Sequence, residues 1–200
     1  MPEVNLAAME PRQIYGFLMC AVVPRPIGLV TTLADNGAVN AAPFSSFIAL
    51  SPMPPIVGFV CGGWQGHRKD TQVNIERRAE FAISVVSEDM AMAVEQCGAA
   101  LPPGESEIAR TGLALAPSRH IAPPYLAASP IAFECRLERF VPFGGAPDML
   151  IAGRVLAIYA AEGVVSDGRV NTAAWRPLGR VGAGAFCHLS RPFRVASVDG

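Results

Sequence analysis

Short apolar runs of strand length, separated by turn-forming clusters, account for most of the chain. Ile27 to Leu33 is apolar and β-branched, and Pro24 and Pro26 bar a helix at its approach, so a strand is expected. Asp35-Asn36-Gly37 supplies residues that tolerate the positive φ of a tight hairpin, with Val39 to Phe47 as the return strand. Ile56 to Cys61 is continuously apolar, as in a strand buried on both faces, and Gly62-Gly63 stops it. Glu80 to Val86 places Phe81, Ile83 and Val85 on one face. Ile131 to Val141 alternates, which assigns Ala132, Glu134, Arg136 and Glu138 to a wet face, and Met149 to Tyr159 follows the turn Phe143 to Asp148. Six or seven strands with few helices indicate a β-barrel or sandwich.

The helical pattern is sparse. Pro11 to Met19 aligns Ile14, Phe17 and Leu18 on a face that should pack on the barrel. A second helix is expected from about Thr71 to Arg78, with Asp70 or Thr71 as its cap, and a third from Glu88 to Gln96, capped by Ser87. Leu50 to Pro55 reads as a rigid extended connector. The segment from Gly98 to Tyr125 reads as a long surface excursion of the kind that forms lids or interface arms. In the tail, Pro177 to His188 carries closely spaced glycines that permit close backbone approach.

Composition changes this picture in two ways. The chain has 200 residues, 51% hydrophobic and 16% charged, which suits one domain over 1–200 with more apolar material than a monomer needs; a homodimer interface would absorb the excess. No apolar stretch approaches the ~18 to 20 residues of a membrane span, and a formal net charge of −1 offers nucleic acid no field. The N-terminus lacks a secretory pattern, so the cytoplasm is expected. Five scattered cysteines without ligand-like spacing read as reduced, mostly buried thiols.

Candidate chemistry concentrates in two stretches. Thr31, Thr32, Asn40, Ser45 and Ser46 put small polar groups among apolar strand residues, where each either bonds backbone or faces a ligand. Arg68, Lys69 and Thr71 stand at a helix start, either an ordinary capped terminus or a phosphate seat built from free N–H groups, dipole and cations. Lys69 is the sole lysine among 16 basic residues. Nucleophile elbows, phosphate loops, zinc-binding helices and dinucleotide fingerprints are all missing, so a bound cofactor is expected to carry any reactivity, with no catalytic side chain.

The ordered set Pro24-Arg-Pro-Ile-Gly-Leu-Val-Thr-Thr32, Asn40-Ala-Ala-Pro-Phe-Ser-Ser-Phe47, Pro54-Pro55, Lys69-Asp-Thr71 with Asn74-Ile75, Leu101-Pro-Pro-Gly104, Ser129-Pro-Ile131 with Glu134-Cys135, and Pro177-Leu-Gly-Arg-Val-Gly182 resembles the flavin reductase-like, FMN-binding split-barrel family. The resemblance covers roughly residues 10 to 190. It implies a mainly β, six-stranded Greek-key split barrel with a few flanking helices, dimeric, holding one FMN per subunit. Thr31, Thr32 and the strand with Asn40, Ala42, Ser45, Ser46 and Phe47 would line the flavin; Ser46, Arg68, Lys69 and Thr71 would sit by its phosphate. Arg180 and Phe186 fall in the family's Gly-rich segment, where Gly182-Ala-Gly184-Ala-Phe186 replaces the usual Gly-Gly pair and Tyr. The implied activity is NAD(P)H-dependent flavin reduction, with electrons passing to an acceptor or a partner monooxygenase. Its alternative is a flavoredoxin-like electron carrier reduced by another protein, and further off stands a barrel holding haem or a pyridoxal-type phosphate.

Overall fold

The computed structural model describes residues 1–63, 67–99, 101–102, 105–144, 148–189 and 193. The head of the basic loop at 64–66, Gly104 and the middle of the turn at 145–147 lie outside the described residues. Seven strands form one antiparallel sheet: β1 (Gly28–Leu33), β2 (Val39–Phe44), β3 (Ile48–Pro52), β4 (Pro55–Cys61), β5 (Glu80–Val85), β6 (Ile131–Pro142) and β7 (Met149–Ala160), in the order β2-β1-β5-β6-β7-β4-β3. The outermost strands of that order, β2 and β3, are joined by only Ser45 to Phe47. A flat sheet would put them about 29 Å apart at ~4.8 Å per strand, whereas that connection reaches at most about 14 Å. The sheet must therefore curl into a barrel whose seam between β2 and β3 carries no ladder, a split barrel.

The seventh strand is β3, most of which the sequence reads as connector. Pro52 ends β3 and Pro55 starts β4, so the prolines turn the chain instead of spacing it. Alternation along the strands divides two apolar layers. Val30, Phe44, Phe59, Phe81, Ile83 and Ile151 fill the barrel together with Ile75. Leu29, Ala41, Val86, Val94, Leu126 and Leu178 lie outside it. Inside, Phe59 meets Phe44 with ring centroids 4.5 Å apart and Phe81 at 5.8 Å. Phe81 can lie over β7 only because Gly153 has no side chain: a Cβ there would stand 2.3 Å from Phe81 Cζ.

Three helices are long enough to matter: α1 (Pro11–Ala21), α2 (Asp70–Arg78) and α3 (Ala91–Cys97). α2 sends Ile75 into the barrel. α3 follows a single 3-10 turn at Glu88–Met90 and sends Val94 and Cys97 into the outer layer. Ser87 does not cap it; its hydroxyl bonds Asp89 instead. α1 fully buries no residue; Ile14 is half-buried while Tyr15, Phe17 and Leu18 are exposed, so the described residues leave most of the expected packing face uncovered.

The stretch from 98 to 125 is no free excursion. Ser106 Oγ donates to Val39 O, and the Glu107 carboxylate accepts from Ala41 N at 2.8 Å, which occupies the open edge of β2. Farther on, the N–H groups of Arg119 and His120 each reach Glu134 at 2.8 Å. That overturns the wet-face reading: Glu134 is fully buried because this belt covers the outer side of β6. Burial pushes its pKa up, but the two N–H donors and the Tyr159 hydroxyl outweigh it and hold the carboxyl below its ordinary value.

A three-stranded sheet stands beside the barrel. The two-residue strand Arg25–Pro26 pairs with β8 (Leu178–Gly182), which forms a hairpin with β9 (Ala185–His188).

Candidate functional site

The site grows from the start of α2. Lys69 occupies the N-cap position, yet neither Asp70 nor Thr71 caps the helix and its start carries no side-chain cap bond; the Gln72 N–H of its first turn is taken by Lys69 O at 3.0 Å and the Cys61 thiol. A helix start without a side-chain cap stands at the positive end of the helix dipole, an arrangement that favours an anion. Lys69 is exposed and stands 5.4 Å from the Phe44 ring centroid; no carboxylate among the described residues pairs with it. Arg68 is already engaged with Glu76 across the helix. Asp70, in the first turn, offsets part of the dipole, so Lys69 supplies the unpaired positive charge.

What fixes this helix start is a buried network. Asn40 Nδ2 donates to Thr32 Oγ1 at 3.2 Å and to Thr71 Oγ1 at 3.0 Å, while Asn74 Nδ2 reaches Thr32 Oγ1 at 3.0 Å. All four residues are at most 6% exposed. Thr32 and Asn40 are register partners on β1 and β2, both turned into the barrel, so the network ties α2 to the strand pair. Three of the expected contacts thus act first as scaffold. Asn74 belongs with them, although its type and spacing on α2 gave no sign of a partner 42 residues earlier.

The connection across the seam follows Phe44, at the end of β2 away from Asn40, and Lys69 over the Phe44 ring links it to the helix start. Ser46 Oγ accepts from Val60 N at 2.8 Å and donates to Val60 O at 3.2 Å, closing the gap the strands leave open. Ser45 Oγ accepts from Arg25 Nε at 3.3 Å, and Arg25 also donates to the carbonyls of Met19 and Val22 at the end of α1. Arg25, 7% exposed, was overlooked; the signal was an arginine between two prolines in the first motif. Phe47 packs against Phe133, ring centroids 5.9 Å apart, and limits Gly28, whose Cβ would stand 3.2 Å from the Phe47 ring. Ala42 is half-buried against the barrel core opposite Val30. Below Lys69 lies Cys61, whose thiol burial pushes up to about 11 with Lys69 pulling the other way, so it stays neutral.

Two groups of expected residues stand apart. Thr31 lies on the outer face of β1, where its hydroxyl donates to Pro124 O under the belt. Arg180 and Phe186 face each other across β8 and β9, the guanidinium 4.4 Å from the ring centroid, and Arg180 pairs with Glu95 of α3 at 2.6 Å. They connect to the seam through the pairing of Arg180 with Arg25, which in turn donates to Ser45.

Comparison with known proteins agrees with the fold. A family model described as flavin reductase like domain matches residues 19–176. A protein of Halalkalibacterium halodurans is 38% identical over 96% of this chain and 95% of its own length. Among solved structures, nitrilotriacetate monooxygenase component B from Bacillus cereus is 30% identical with a TM-score of 0.93 over 98% of both chains. The 2-nitrobenzoate 2-nitroreductase NbaA of Pseudomonas fluorescens, also 30% identical, has a TM-score of 0.89 over 98% of this chain and 96% of that one.

Proposed function

The chain belongs to the flavin reductase-like domain family, and on that premise we propose that it is an FMN-binding oxidoreductase that takes hydride from NADH or NADPH and passes the electrons to an acceptor. The observation that carries this reading is the uncapped start of α2 with unpaired Lys69 beside it. The residues present fit a flavin phosphate: backbone N–H groups of the first turn donate, Lys69 neutralises, and the Asn40–Thr71 bond keeps the helix start in place. Ser45 to Phe47 and Gly62-Gly63 precede that seat in the chain and would line the rest of the cofactor. FMN, when bound, supplies the hydride-accepting ring that no side chain here offers. The protein's share is to hold the ring, exclude water and present N–H donors.

The working unit we propose is a homodimer. Exposed Ile48, Leu50, Val60, Leu156 and Ile158 on β3, β4 and β7, with Tyr15, Phe17 and Leu18 on α1, supply apolar surface that the described residues leave uncovered. Likeness to a monooxygenase component B supports a partner monooxygenase as acceptor. Five free cysteines suit a reducing cytoplasm. Among the described residues no helix is long and apolar enough to cross a membrane.

The test is to release the cofactor from purified protein by acid, identify it by mass, and assay NADH and NADPH oxidation with free flavin, oxygen and ferric acceptors. FMN with turnover supports the proposal. FMN without turnover leaves an electron carrier, and another cofactor removes both.

A further inference from the structure

Arg25 is a buried cation without a counter-charge. Arg68, Arg77, Arg154, Arg176 and Arg180 each pair with a carboxylate, but no carboxylate among the described residues reaches Arg25, which is 7% exposed. Neutral oxygens alone hold its guanidinium: Nη1 donates to the carbonyls of Met19 and Val22 at the end of α1, the latter at 3.2 Å, and Nε donates to Ser45 Oγ at 3.3 Å. The negative end of the α1 dipole offsets part of the charge. Burying a charge is costly unless it is paired, so the remainder calls for an anion that the described residues do not supply.

That charge is directed at the connection across the seam, whose two hydroxyls belong to Ser45 and Ser46. Ser46 spends its hydroxyl in both directions, accepting from Val60 N and donating to Val60 O. Ser45 Oγ accepts from Arg25, and its own proton has no acceptor among the described residues. Ser45 is half-buried, so this proton is within reach of a ligand at the seam. A hydroxyl that accepts from a guanidinium becomes a stronger donor, because each bond in such a chain polarises the next. Lys69 does not duplicate the arrangement: it is exposed, 5.4 Å from the Phe44 ring at the start of α2.

We propose that Arg25 is a positioning residue that acts through Ser45 to stabilise the negative charge a flavin ring gains on taking up hydride. In that step a C–H bond of the nicotinamide donor breaks with its electron pair and an N–H bond forms on the flavin. The nicotinamide leaves as a pyridinium cation, and the neutral ring becomes an anion. Hydrogen bonds to a charged acceptor are about twice as strong as those to a neutral one, so the Ser45 proton favours the reduced cofactor over the oxidised one. The two-electron potential of bound FMN rises accordingly. The inference rests on the flavin reading and adds to it the residues that set the potential.

The full chain loaded with FMN is compared with Ser45→Ala, Arg25→Gln and Arg25→Lys in two measurements. One is a fluorescence titration of oxidised FMN; the other is the midpoint potential from anaerobic reduction against a reference dye. Ser45→Ala should weaken the preference for reduced over oxidised FMN about ten-fold, a fall of about 30 mV. Arg25→Gln should lower the potential at least as far, and Arg25→Lys, which keeps the charge, should recover part of it. Ser46→Ala, whose proton already serves Val60, should leave the potential where it is. An arginine that only caps α1 would, when lost, loosen both redox forms alike and leave the potential unmoved. An unshifted potential in Ser45→Ala therefore overturns the proposal, and that variant keeps the test open should Arg25→Gln fail to fold. FMN that binds and is reduced at an unaltered potential leaves the flavin reading standing, whereas wild-type protein that takes up no FMN removes the reading and the proposal together.

Discussion

Asn40→Ala separates scaffold from ligand contact at the heart of the site. The amide makes two hydrogen bonds inside the barrel, to Thr32 and Thr71, with Asn40 itself 6% exposed. Each is worth about 0.5–1.5 kcal/mol, and the vacated space and the Thr71 hydroxyl left without its donor add to the loss, for a total of about 2–4 kcal/mol. A chain of this size loses roughly 2–4 °C per kcal/mol, so the melting temperature of the flavin-free protein should fall by about 5 to 15 °C. FMN affinity should fall as well, because the start of α2 loses its tether. Thr71→Val, which removes the same acceptor with little change of shape, should reproduce part of both effects. The assay is differential scanning calorimetry of flavin-free protein beside a titration of FMN fluorescence. A flavin-free melting temperature within about 2 °C of wild type, with FMN binding lost, would show that Asn40 touches the cofactor instead of holding the helix, and the network account would be wrong.

Other outcomes follow from single contacts. Lys69→Ala should leave melting unchanged but weaken FMN binding about 10- to 150-fold, the worth of one charge-assisted hydrogen bond, in a salt-dependent manner; Arg68→Ala, whose guanidinium already serves Glu76, should do less. Glu134 has a depressed folded-state pKa, so its contribution is present above the unfolded carboxylate value and is lost as pH falls through the lower folded one. Glu134→Gln should therefore be less stable than wild type at neutral pH, with the difference shrinking in acid denaturation profiles below about pH 4. Gly153→Ala brings a Cβ to 2.3 Å from Phe81 Cζ and should cost about 1–3 kcal/mol in urea unfolding, partly restored by Phe81→Leu.

Local pattern placed the strands well because it records a local demand. Phe81 and Ile83 alternate into the barrel as their spacing requires, and β5 ends at Val85, one residue short of the expected Val86. The family motifs likewise brought Asn40, Thr71 and Lys69 to one place before any geometry was known. What stayed hidden depends on partners far along the chain. Glu134 reads as a wet-face residue until the belt at 119–120 lies over it, and Glu107 has meaning only at the edge of β2, 66 residues earlier. Thr31 and Thr32 are adjacent in the chain and polar alike, yet the strand sends one outward under Pro124 and the other into the barrel. Arg25 was masked by its prolines: its role appears only when Ser45, 20 residues on, returns beside it. The exposed face of α1 marks the limit of reading one chain alone.

The account stands most directly on anaerobic spectroscopy of the purified protein with its native cofactor. It predicts a yellow protein whose flavin absorbance bleaches on stoichiometric NADH or NADPH and returns when oxygen or another acceptor is admitted. A colourless protein, or a flavin band that neither nucleotide bleaches, would contradict it.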